Sequence, residues 1–268
     1  MNQYNGDDSS PKSSRTEWQL PQGVPKGAWD YSQTESIASD YDDYFQDHAL
    51  LAFDQSLLSK WFAKPGVVFD FGCGTGRALV KLLESGKSAV GVDLSQPMLT
   101  EAQSQLARFT GRFSAVRANL VELDCIADQS ADYAICLFST LGMIQGHDNR
   151  IAALAHMRRI LKPGGLLVLH VHNFWFNLYD PGGPWWLLKS LFAGRESRGD
   201  KTYDYRGIRD FYLHVFGRRE LQRIIGASNL KIRDWIPLRT RCDGPLPLPW
   251  FVQSLRASGW IVCCERPQ

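Results

Sequence analysis

Apolar runs alternate with amphipathic segments along the middle of the chain, from Pro65 to His172. The apolar runs are continuous, which is typical of parallel strands covered on both faces. Between them, apolar residues recur at helical spacing, as in the segment from Arg77 to Ser85. The five predicted strands read VVFDF, SAVGVD, FSAVRAN, ADYAICLF and LLVLHVH. This order predicts an α/β domain with a doubly wound, mostly parallel sheet and helices on both faces.

The flanking regions follow other patterns, which divide the chain into a tail and one domain. Residues 1–27 are rich in Asn, Asp, Ser, Gly and Pro, a composition that predicts a flexible tail. Residues 28–268 have a length that suits a single domain. The expected parts of this domain are a helical cap over 28–63, the central sheet over 65–172, an aromatic insert over 173–215, and a C-terminal helix with a strand hairpin over 216–268.

Composition and charge exclude several classes of protein. The chain has 268 residues, of which 44% are hydrophobic and 22% charged, as in ordinary globular domains. A formal net charge of +2 gives no reason to expect a nucleic-acid partner. There is no apolar run of membrane-spanning length and no signal-peptide pattern, so we expect a cytoplasmic protein. The six cysteines include no CxxC pair, and no metal site is predicted.

A glycine-rich turn separates the first predicted strand from its helix. A turn at this position presents free backbone N–H groups at a helix N-terminus, where an anion is favoured. Its glycines are Gly72, Gly74 and Gly76, so the third comes one residue earlier than in the G-x-G-x-x-G pattern of dinucleotide enzymes. The lysine of a phosphate-binding P-loop is missing, since Arg77 and Ala78 occupy its place. Asp93 closes the second strand, where its carboxylate is placed to accept hydrogen bonds from ribose hydroxyls.

Three segments together resemble the successive motifs of the class I S-adenosyl-L-methionine-dependent methyltransferases of the small-molecule type (methyltransferase type 11/25-like). They read VVFDFGCGTGRALVKL, VGVDLSQPML and RRILKPGGLLVLHV, and the resemblance covers Pro65 to His172. It implies a Rossmann-like sheet of seven strands with one antiparallel C-terminal edge strand. It also implies S-adenosyl-L-methionine as cofactor, S-adenosyl-L-homocysteine as product, and methyl transfer as the reaction.

The resemblance assigns cofactor roles to residues at the ends of these strands. Asp70 corresponds to the acid that holds the methionine amino group, and Arg77 is a candidate partner for the methionine carboxylate. Asp93 corresponds to the ribose-binding acid. Asn119 stands where many members carry an acidic residue that reads the adenine amino group, so its amide oxygen would take that role. The remaining implied contacts are Gly72, Cys73, Gly74, Gly76, Leu94, Met98, Leu120 and Phe138.

Two histidines are candidate catalytic bases. Methyl transfer is an in-line displacement on an activated electrophile, so a base is needed mainly when the acceptor is a hydroxyl group. His172 is the first candidate because it lies nearest the carboxyl end of the fifth strand, where ligands bind in this architecture. His147, in the loop after the fourth strand, is the second. A structural role for either histidine stays open, as does a weaker interpretation of His170, His172 and Asp180 as metal ligands.

The acceptor is expected to be a small molecule, and apolar or aromatic. The aromatic insert from Phe174 to Tyr205 is a candidate acceptor-side wall, although its aromatics could equally be core. Upstream aromatics, Trp29, Tyr31, Tyr41 and Tyr44, could close the site from the other side. The segment WWLLKSLF could instead contact a membrane or a protein partner. An RNA or protein methyltransferase, a non-catalytic cofactor-binding protein and a nicotinamide oxidoreductase are the alternatives; the glycine spacing argues against the last.

Overall fold

The computed structural model describes residues 16–44, 49–194 and 197–268, which form nine strands and eleven α-helices. The strands are β1 Val67–Phe71, β2 Ser88–Asp93, β3 Phe113–Arg117, β4 Ala131–Cys136, β5 Leu161–His172, β6 Asp200–Tyr205, β7 Ile208–His214, β8 Lys231–Pro237 and β9 Gly259–Glu265. The helices are α1 Lys26–Gln33, α2 Glu35–Ser39, α3 Tyr41–Tyr44, α4 Ala49–Trp61, α5 Val80–Glu84, α6 Gln96–Gln105, α7 Thr140–Met143, α8 His147–Ile160, α9 Gly183–Phe192, α10 Arg218–Ala227 and α11 Gln253–Arg256.

Seven of the strands form one sheet, in the order β3-β2-β1-β4-β5-β9-β8. Strands β1 to β5 pair in parallel, while β9 runs antiparallel to both of its neighbours. The predicted mostly parallel, seven-stranded sheet with an antiparallel C-terminal strand is therefore confirmed. The structure adds that β9 lies one place inside the edge and that β8 forms the edge. The strand order reverses between β1 and β4, since β2 and β3 follow on one side and β4 and β5 on the other, and ligands bind at such a switch point in α/β sheets.

Apolar side chains from both faces of the sheet explain the continuous runs seen in the sequence. On one face, Leu154 and Met157 of α8 pack with Leu221 and Ile224 of α10, and all four are buried. On the other face, the core includes Phe62, whose ring stacks on Tyr133 with centroids 4.4 Å apart. Because both faces are covered, the strands had to be apolar at successive positions.

The segment before α1, which falls within the predicted tail, makes hydrogen bonds to the domain. Gln145 N–H donates to the carbonyl of Gly23 at 2.8 Å, and Gln22 donates through its amide to Asn149 Oδ1 at 2.8 Å. This part of the predicted tail is therefore packed on the domain, while residues 1–15 lie outside the described residues. A composition of Gly, Pro and polar residues suits an ordered loop as well as a flexible one, and tertiary hydrogen bonds decide between them.

The insert over 173–215 contains α9 and an antiparallel hairpin of β6 and β7 that its aromatic composition did not reveal. Tyr31 of α1 packs edge-on against Phe211, with ring centroids 5.3 Å apart, and it also contacts Tyr205. The base of the hairpin is fixed by buried His214, whose two ring nitrogens lie 2.6 Å from Asp200 and 2.7 Å from Glu220. The hairpin therefore packs against α1 and helps to hold that helix in place.

Candidate cofactor site

The turn after β1 has a backbone conformation that glycine adopts most easily. Gly72, Gly74 and Gly76 have φ values of +83°, +52° and +77°. The N–H groups of Gly72 and Cys73 both donate to the carbonyl of Val92, at 2.7 and 3.1 Å, so the turn is tied to the end of β2. A Cβ atom on Gly72 would lie 2.3 Å from Thr140 Cγ2. This turn therefore needs glycine at position 72 both for its φ angle and for its closeness to α7.

Asp93 closes the turn from the end of β2. Its Oδ2 accepts a hydrogen bond from Gly74 N–H at 2.8 Å, and its Oδ1 accepts one from Ser95 N–H at 2.9 Å. Burial raises the pKa of the Asp93 carboxyl, and the N–H groups of Ser95, Gly74 and Leu94 act against that rise. Each carboxylate oxygen keeps acceptor capacity beyond these bonds. Asp93 is therefore held in place and still able to bind hydroxyl groups.

Asp70, the second acid, lies at the end of β1 with 2% of its surface exposed. Burial, and then the negative charge of Asp93, raise the pKa of Asp70 to about 8. A buried carboxyl in this state is costly to ionise without a cationic partner. The pair of acids therefore favours a ligand that brings a positive group to Asp70.

The two acids face one cavity at the carboxyl ends of β1, β2 and β4. It encloses about 1120 Å³ of empty volume, part of it open to solvent. Tyr41 and Phe138 contribute aromatic walls, and the guanidinium carbon of Arg77 lies 5.7 and 5.3 Å from their ring centroids. A mostly apolar cavity with a few convergent polar groups is the usual form of a small-molecule site.

The structure brings nearly all of the predicted cofactor residues to this cavity. Those that line it are Asp70, Gly72, Cys73, Gly74, Arg77, Asp93, Leu94, Met98, Asn119, Leu120 and Phe138. Gly76 lies outside the lining, and a Cβ atom there would meet Leu106 Cδ1 at 2.7 Å, so Gly76 allows α6 to approach the turn. The amide nitrogen of Asn119 donates to the carbonyl of Gln22 at 2.9 Å, which holds the N-terminal segment over the cavity.

The two candidate bases lie outside the lining of this cavity. His147 is the first residue of α8, one turn beyond the cavity-lining Ile144. His172 ends β5, and its N–H donates to Ser139 Oγ at 3.3 Å. The ring of His172 contacts His170, which in turn lies 6.1 Å from Phe138, measured between ring centroids. The ring of His170 therefore lies between His172 and the cavity-lining residue Phe138.

His170 also forms a buried pair with an acid of helix α4. Asp54 of α4 and His170 are each about 1% exposed at the side chain, and His170 Nδ1 is 3.7 Å from Asp54 Oδ2. Asp180, the third residue of the metal-ligand interpretation, instead lies 3.8 Å from Lys201 Nζ. Within residues 16–44, 49–194 and 197–268, no three His, Cys, Asp or Glu side chains are grouped to hold a metal ion.

Some structural features around the cavity had no recognisable signal in the sequence. Phe138 and Ser139 adopt left-handed φ values of +51° and +63° after β4, a conformation that is uncommon outside glycine and concentrates at functional sites. Thr75 is fixed by donating to Asp42 Oδ1 at 2.7 Å. Of the upstream aromatics, Tyr31 and Tyr41 line the cavity. The other lining residues that sequence reasoning missed are Gly23, Val24, Ala28, Ser32, Thr75, Ala78, Ser95, Leu137, Thr140, Met143 and Ile144.

A glycine turn at the switch point, closed by an acid from the next strand, defines a Rossmann-like site for a nucleoside-containing cofactor. Comparisons with known proteins extend this assignment. Residues 68–165 match the family model described as "Methyltransferase domain". The ubiquinone/menaquinone biosynthesis C-methyltransferase UbiE of Syntrophotalea carbinolica is 34% identical over 109 residues, which is 40% of this chain and 44% of that protein. The chain spans about half the length of most of the curated relatives that it matches.

Solved structures share the fold at lower identity. The CcbJ methyltransferase from Streptomyces caelestis aligns with a TM-score of 0.63 and 18% identity, covering 88% of this chain and 99% of that one. A Burkholderia thailandensis 1,6-didemethyltoxoflavin-N1-methyltransferase, with that compound and S-adenosylhomocysteine bound, aligns with a TM-score of 0.60 and 20% identity over 87% and 85% of the two chains. Residues 68–165 are thus similar to a methyltransferase domain, and the chain shares its fold with S-adenosylmethionine-dependent methyltransferases.

The residues of the cavity fit S-adenosylmethionine, the cofactor of the methyltransferases that share this fold. Gly74 lines the cavity, and a Cβ atom added there would lie 3.9 Å from Tyr41 Cε1, in space that glycine leaves free. Asp93 offers carboxylate oxygens to hydroxyl groups, and Asp70 is a buried acid suited to a cationic amine. Leu94, Met98 and Leu120 supply apolar surface on the same side of the cavity as Asp93.

Proposed function

We propose that this protein transfers the methyl group of S-adenosylmethionine to a small-molecule acceptor. The observation that carries the proposal is the turn from Gly72 to Gly76, locked to Asp93 and placed beside Asp70 in one cavity. When bound, the cofactor supplies an electrophilic methyl group on a sulfonium centre. The protein's part is then to orient the two reactants and to exclude water.

Each part of the cavity has a separate binding role in this proposal. Asp93 would accept hydrogen bonds from the ribose hydroxyls, and Asp70 would hold the methionine amino group. Arg77, stacked between Tyr41 and Phe138, would bind the methionine carboxylate. Leu94 and Met98 would pack on the adenine ring, with Asn119 at its edge. These roles make the cavity a specific site for an adenosine that carries an amino acid.

Enclosure of the cavity supports an acceptor of small size. Residues Gly23 and Val24 and helix α1 lie across the cavity, and Asn119 fastens this segment through Gln22. Tyr31 and Tyr41 add aromatic surface beside it, supported by the hairpin of β6 and β7. An aromatic lining suits an apolar or aromatic small molecule, and the bound acceptor of the Burkholderia neighbour is a small molecule.

Calorimetry with purified protein tests the cofactor assignment directly. We expect micromolar binding of S-adenosylmethionine and S-adenosylhomocysteine, and no comparable binding of NADH. Methyl transfer is then measured with radiolabelled cofactor against pools of small molecules, total RNA and denatured protein. Label in the small-molecule fraction supports the proposed acceptor class, whereas label only in RNA or protein contradicts it.

The high pKa of Asp70 predicts a pH-dependent stability. Between the ordinary value of 3.8 and about 8, the folded protein keeps a proton on Asp70 that the unfolded chain has lost. Stability of the free protein therefore falls as pH rises through this window, by at most about 1.4 kcal/mol per pH unit from this group. Urea unfolding at several pH values should show a smaller decline in Asp70→Asn than in the wild type. Equal slopes would show that Asp70 is ionised in the free protein.

His172 is the base that we propose for a hydroxyl acceptor that reaches past the ring of Phe138 to the end of β5. Burial and the nearby charges of His170 and Lys201 lower the pKa of His172 to about 4, so its ring is neutral but only weakly basic at physiological pH. We expect His172→Ala to lower kcat about 100-fold while cofactor affinity stays unchanged. His147→Ala is the matched control and should keep full kcat. An unchanged kcat in His172→Ala would remove His172 from the mechanism.

A further inference from the structure

An exposed apolar face on helix α9 has no role in the cofactor site. Leu187 and Ser190 of this helix are buried against the domain, but its outward side chains are almost all apolar. Trp185 and Phe192 have 65% and 85% of their surfaces exposed, and Leu188 and Leu191 lie between them. The single charged residue on this side is Lys189. Such a helix face is unusual on a protein surface that meets only water.

A second group of exposed apolar side chains lies on the loop that leads into α11. This loop presents Leu248, Trp250, Phe251 and Val252, and Trp250 is 77% exposed. Leu248 and Val252 have φ values of +51° and +37°, in the left-handed region that β-branched and bulky residues rarely adopt. The loop therefore keeps an unfavourable backbone conformation while its large side chains point into solvent.

Arg256 holds this loop in shape. Its guanidinium donates to the carbonyls of Leu248, Phe251 and Pro247 at 3.2, 3.1 and 3.0 Å. Asn173, the residue after β5, donates to the carbonyls of Ser254 and Ala257, both at 2.7 Å. The loop is therefore fixed both internally and to the end of the central sheet, so the exposed rings are presented by an ordered element.

The 3-10 segment between β5 and α9 connects the two groups, which we together call the α9–α11 face. The 3-10 segment Phe174–Tyr179 packs against both α9 and α11, and Leu178 and Tyr179 expose 43% and 60% of their surfaces between them. An open cleft of about 1170 Å³ runs alongside this segment. Its walls are Phe176, Tyr179, Arg239, Thr240, Arg241, Asp243, Leu246, Pro247 and Arg256.

Positive charge accompanies the apolar side chains on the α9–α11 face. Arg241 is exposed at the cleft, and Lys189 is exposed on α9. Among the described residues of this face, the carboxylate of Asp243 is paired with Arg239 and that of Asp180 lies 3.8 Å from Lys201. Cationic side chains therefore outnumber carboxylates around a surface rich in Trp, Phe and Leu.

We propose that the α9–α11 face binds the surface of an anionic lipid bilayer. Trp and Tyr rings favour the interfacial region of a membrane, where one end of the side chain is apolar and the other is hydrated. Arg241 and Lys189 would attract the phosphate groups of acidic headgroups, while Phe192, Trp250 and Phe251 enter the headgroup–acyl boundary. No helix in the described part of the chain is both long and apolar enough to cross a bilayer. The contact is therefore superficial and reversible.

The distribution of charge favours a bilayer over a second copy of the chain. In a twofold dimer this face of one copy would meet the same face of the other. The excess positive charge of the two copies would then lie close together. Such a contact gains apolar burial but suffers electrostatic repulsion, whereas an anionic bilayer gains from both.

Vesicle flotation of the full chain tests the proposal. We expect the protein to float with vesicles containing about one quarter phosphatidylglycerol, and to remain behind with phosphatidylcholine alone. Trp250→Ser/Phe251→Ser and Trp185→Ser/Phe192→Ser should each weaken partitioning about tenfold or more. Arg241→Glu should weaken it by a similar factor at low salt, and this exposed substitution carries little risk to folding.

Matched controls lie elsewhere on the surface. Trp18, 83% exposed in the N-terminal segment, and Lys64, exposed before β1, have no part in the α9–α11 face. Trp18→Ser and Lys64→Glu should bind vesicles as the wild type does, and every variant should keep its affinity for S-adenosylhomocysteine. Absence of flotation, equal flotation with both vesicles, or equal loss in the controls would overturn the proposal. So would a dimer in sedimentation that Trp250→Ser/Phe251→Ser dissociates, with no vesicle binding.

Discussion

Replacement of Asp93 by alanine should weaken the binding of S-adenosylmethionine and S-adenosylhomocysteine by about 100-fold or more. The variant loses the carboxylate that accepts from Gly74 and Ser95 at 2.8 and 2.9 Å, so the glycine turn is no longer fixed before the ligand arrives. It also loses the proposed bonds to the ribose hydroxyls. Hydrogen bonds to a charged group contribute about 1.5–3 kcal/mol each, and two of them account for a loss of this size. Calorimetric titration measures it directly.

Asp132 provides a matched control for Asp93. Its carboxylate likewise accepts from a backbone N–H, that of Val67, at 2.8 Å, but at the opposite end of β1 from the cavity. Asp132→Asn should lower stability modestly and leave cofactor affinity within about twofold. If both variants lose affinity equally, the effect of Asp93 is one of general stability. If Asp93→Ala binds normally, the proposed ribose contact is wrong.

Gly72→Ala is expected to destabilise the protein by roughly 3 kcal/mol or more and to abolish measurable cofactor binding. The substitution has two costs: alanine at a φ of +83°, and a Cβ placed 2.3 Å from Thr140 Cγ2. Gly86→Ala separates them, because Gly86 has a φ of +87° and no atom within 4 Å of its added Cβ. That control should lose only about 1 kcal/mol and keep its cofactor affinity. Thermal and urea unfolding, with calorimetry, give both quantities.

The contact with Thr140 allows a rescue experiment. Thr140→Ala removes the two side-chain atoms nearest to the added methyl group, and leaves Thr140 Cβ 3.0 Å away. The double variant Gly72→Ala/Thr140→Ala should therefore recover part of the stability lost in Gly72→Ala, which would appear as a non-additive coupling. A strictly additive double variant would show that the φ angle, and not the contact, accounts for the loss.

Asn173 links the two proposals spatially. It follows His172 at the end of β5, and its side chain ties the α11 loop to that strand. A membrane bound at the α9–α11 face would therefore lie on the side of the domain from which β5 presents His172. The two ideas are tested separately, since vesicle flotation requires no turnover and cofactor calorimetry requires no lipid.

Much of the central sheet was predictable because its pattern is local. Continuous apolar runs specify buried parallel strands, and each predicted strand of the central region has its counterpart in the structure. The hairpin of β6 and β7 was not predictable in the same way. Its residues DKTYDY and IRDFYLH mix polar and aromatic types, and their pairing is stabilised by contacts with α1 and by His214 between Asp200 and Glu220.

The residues of the cofactor site also include some that the sequence could predict and some that it could not. Asp70, Asp93 and the glycines are attached to strand ends, so their placement follows from the strand pattern and the switch point. Gly23, Val24 and Thr140 reach the same cavity from segments distant in sequence, through contacts that no local pattern encodes. His170 and His172 show the opposite case. Their position on β5 was predicted, but in the structure the ring of Phe138 lies between them and the cavity.

The sequence by itself determined the doubly wound sheet and the acid-closed glycine turn, because strand burial, turn geometry and helix N-termini are properties of short, contiguous stretches. Only the tertiary structure decided which residues cover the cavity, and that α9 and the α11 loop present one apolar, cationic face. It also decided that burial beside Asp93 raises the pKa of Asp70. Burial, electrostatic coupling and surface continuity depend on residues far apart in the chain. They exist only once those residues have been packed together.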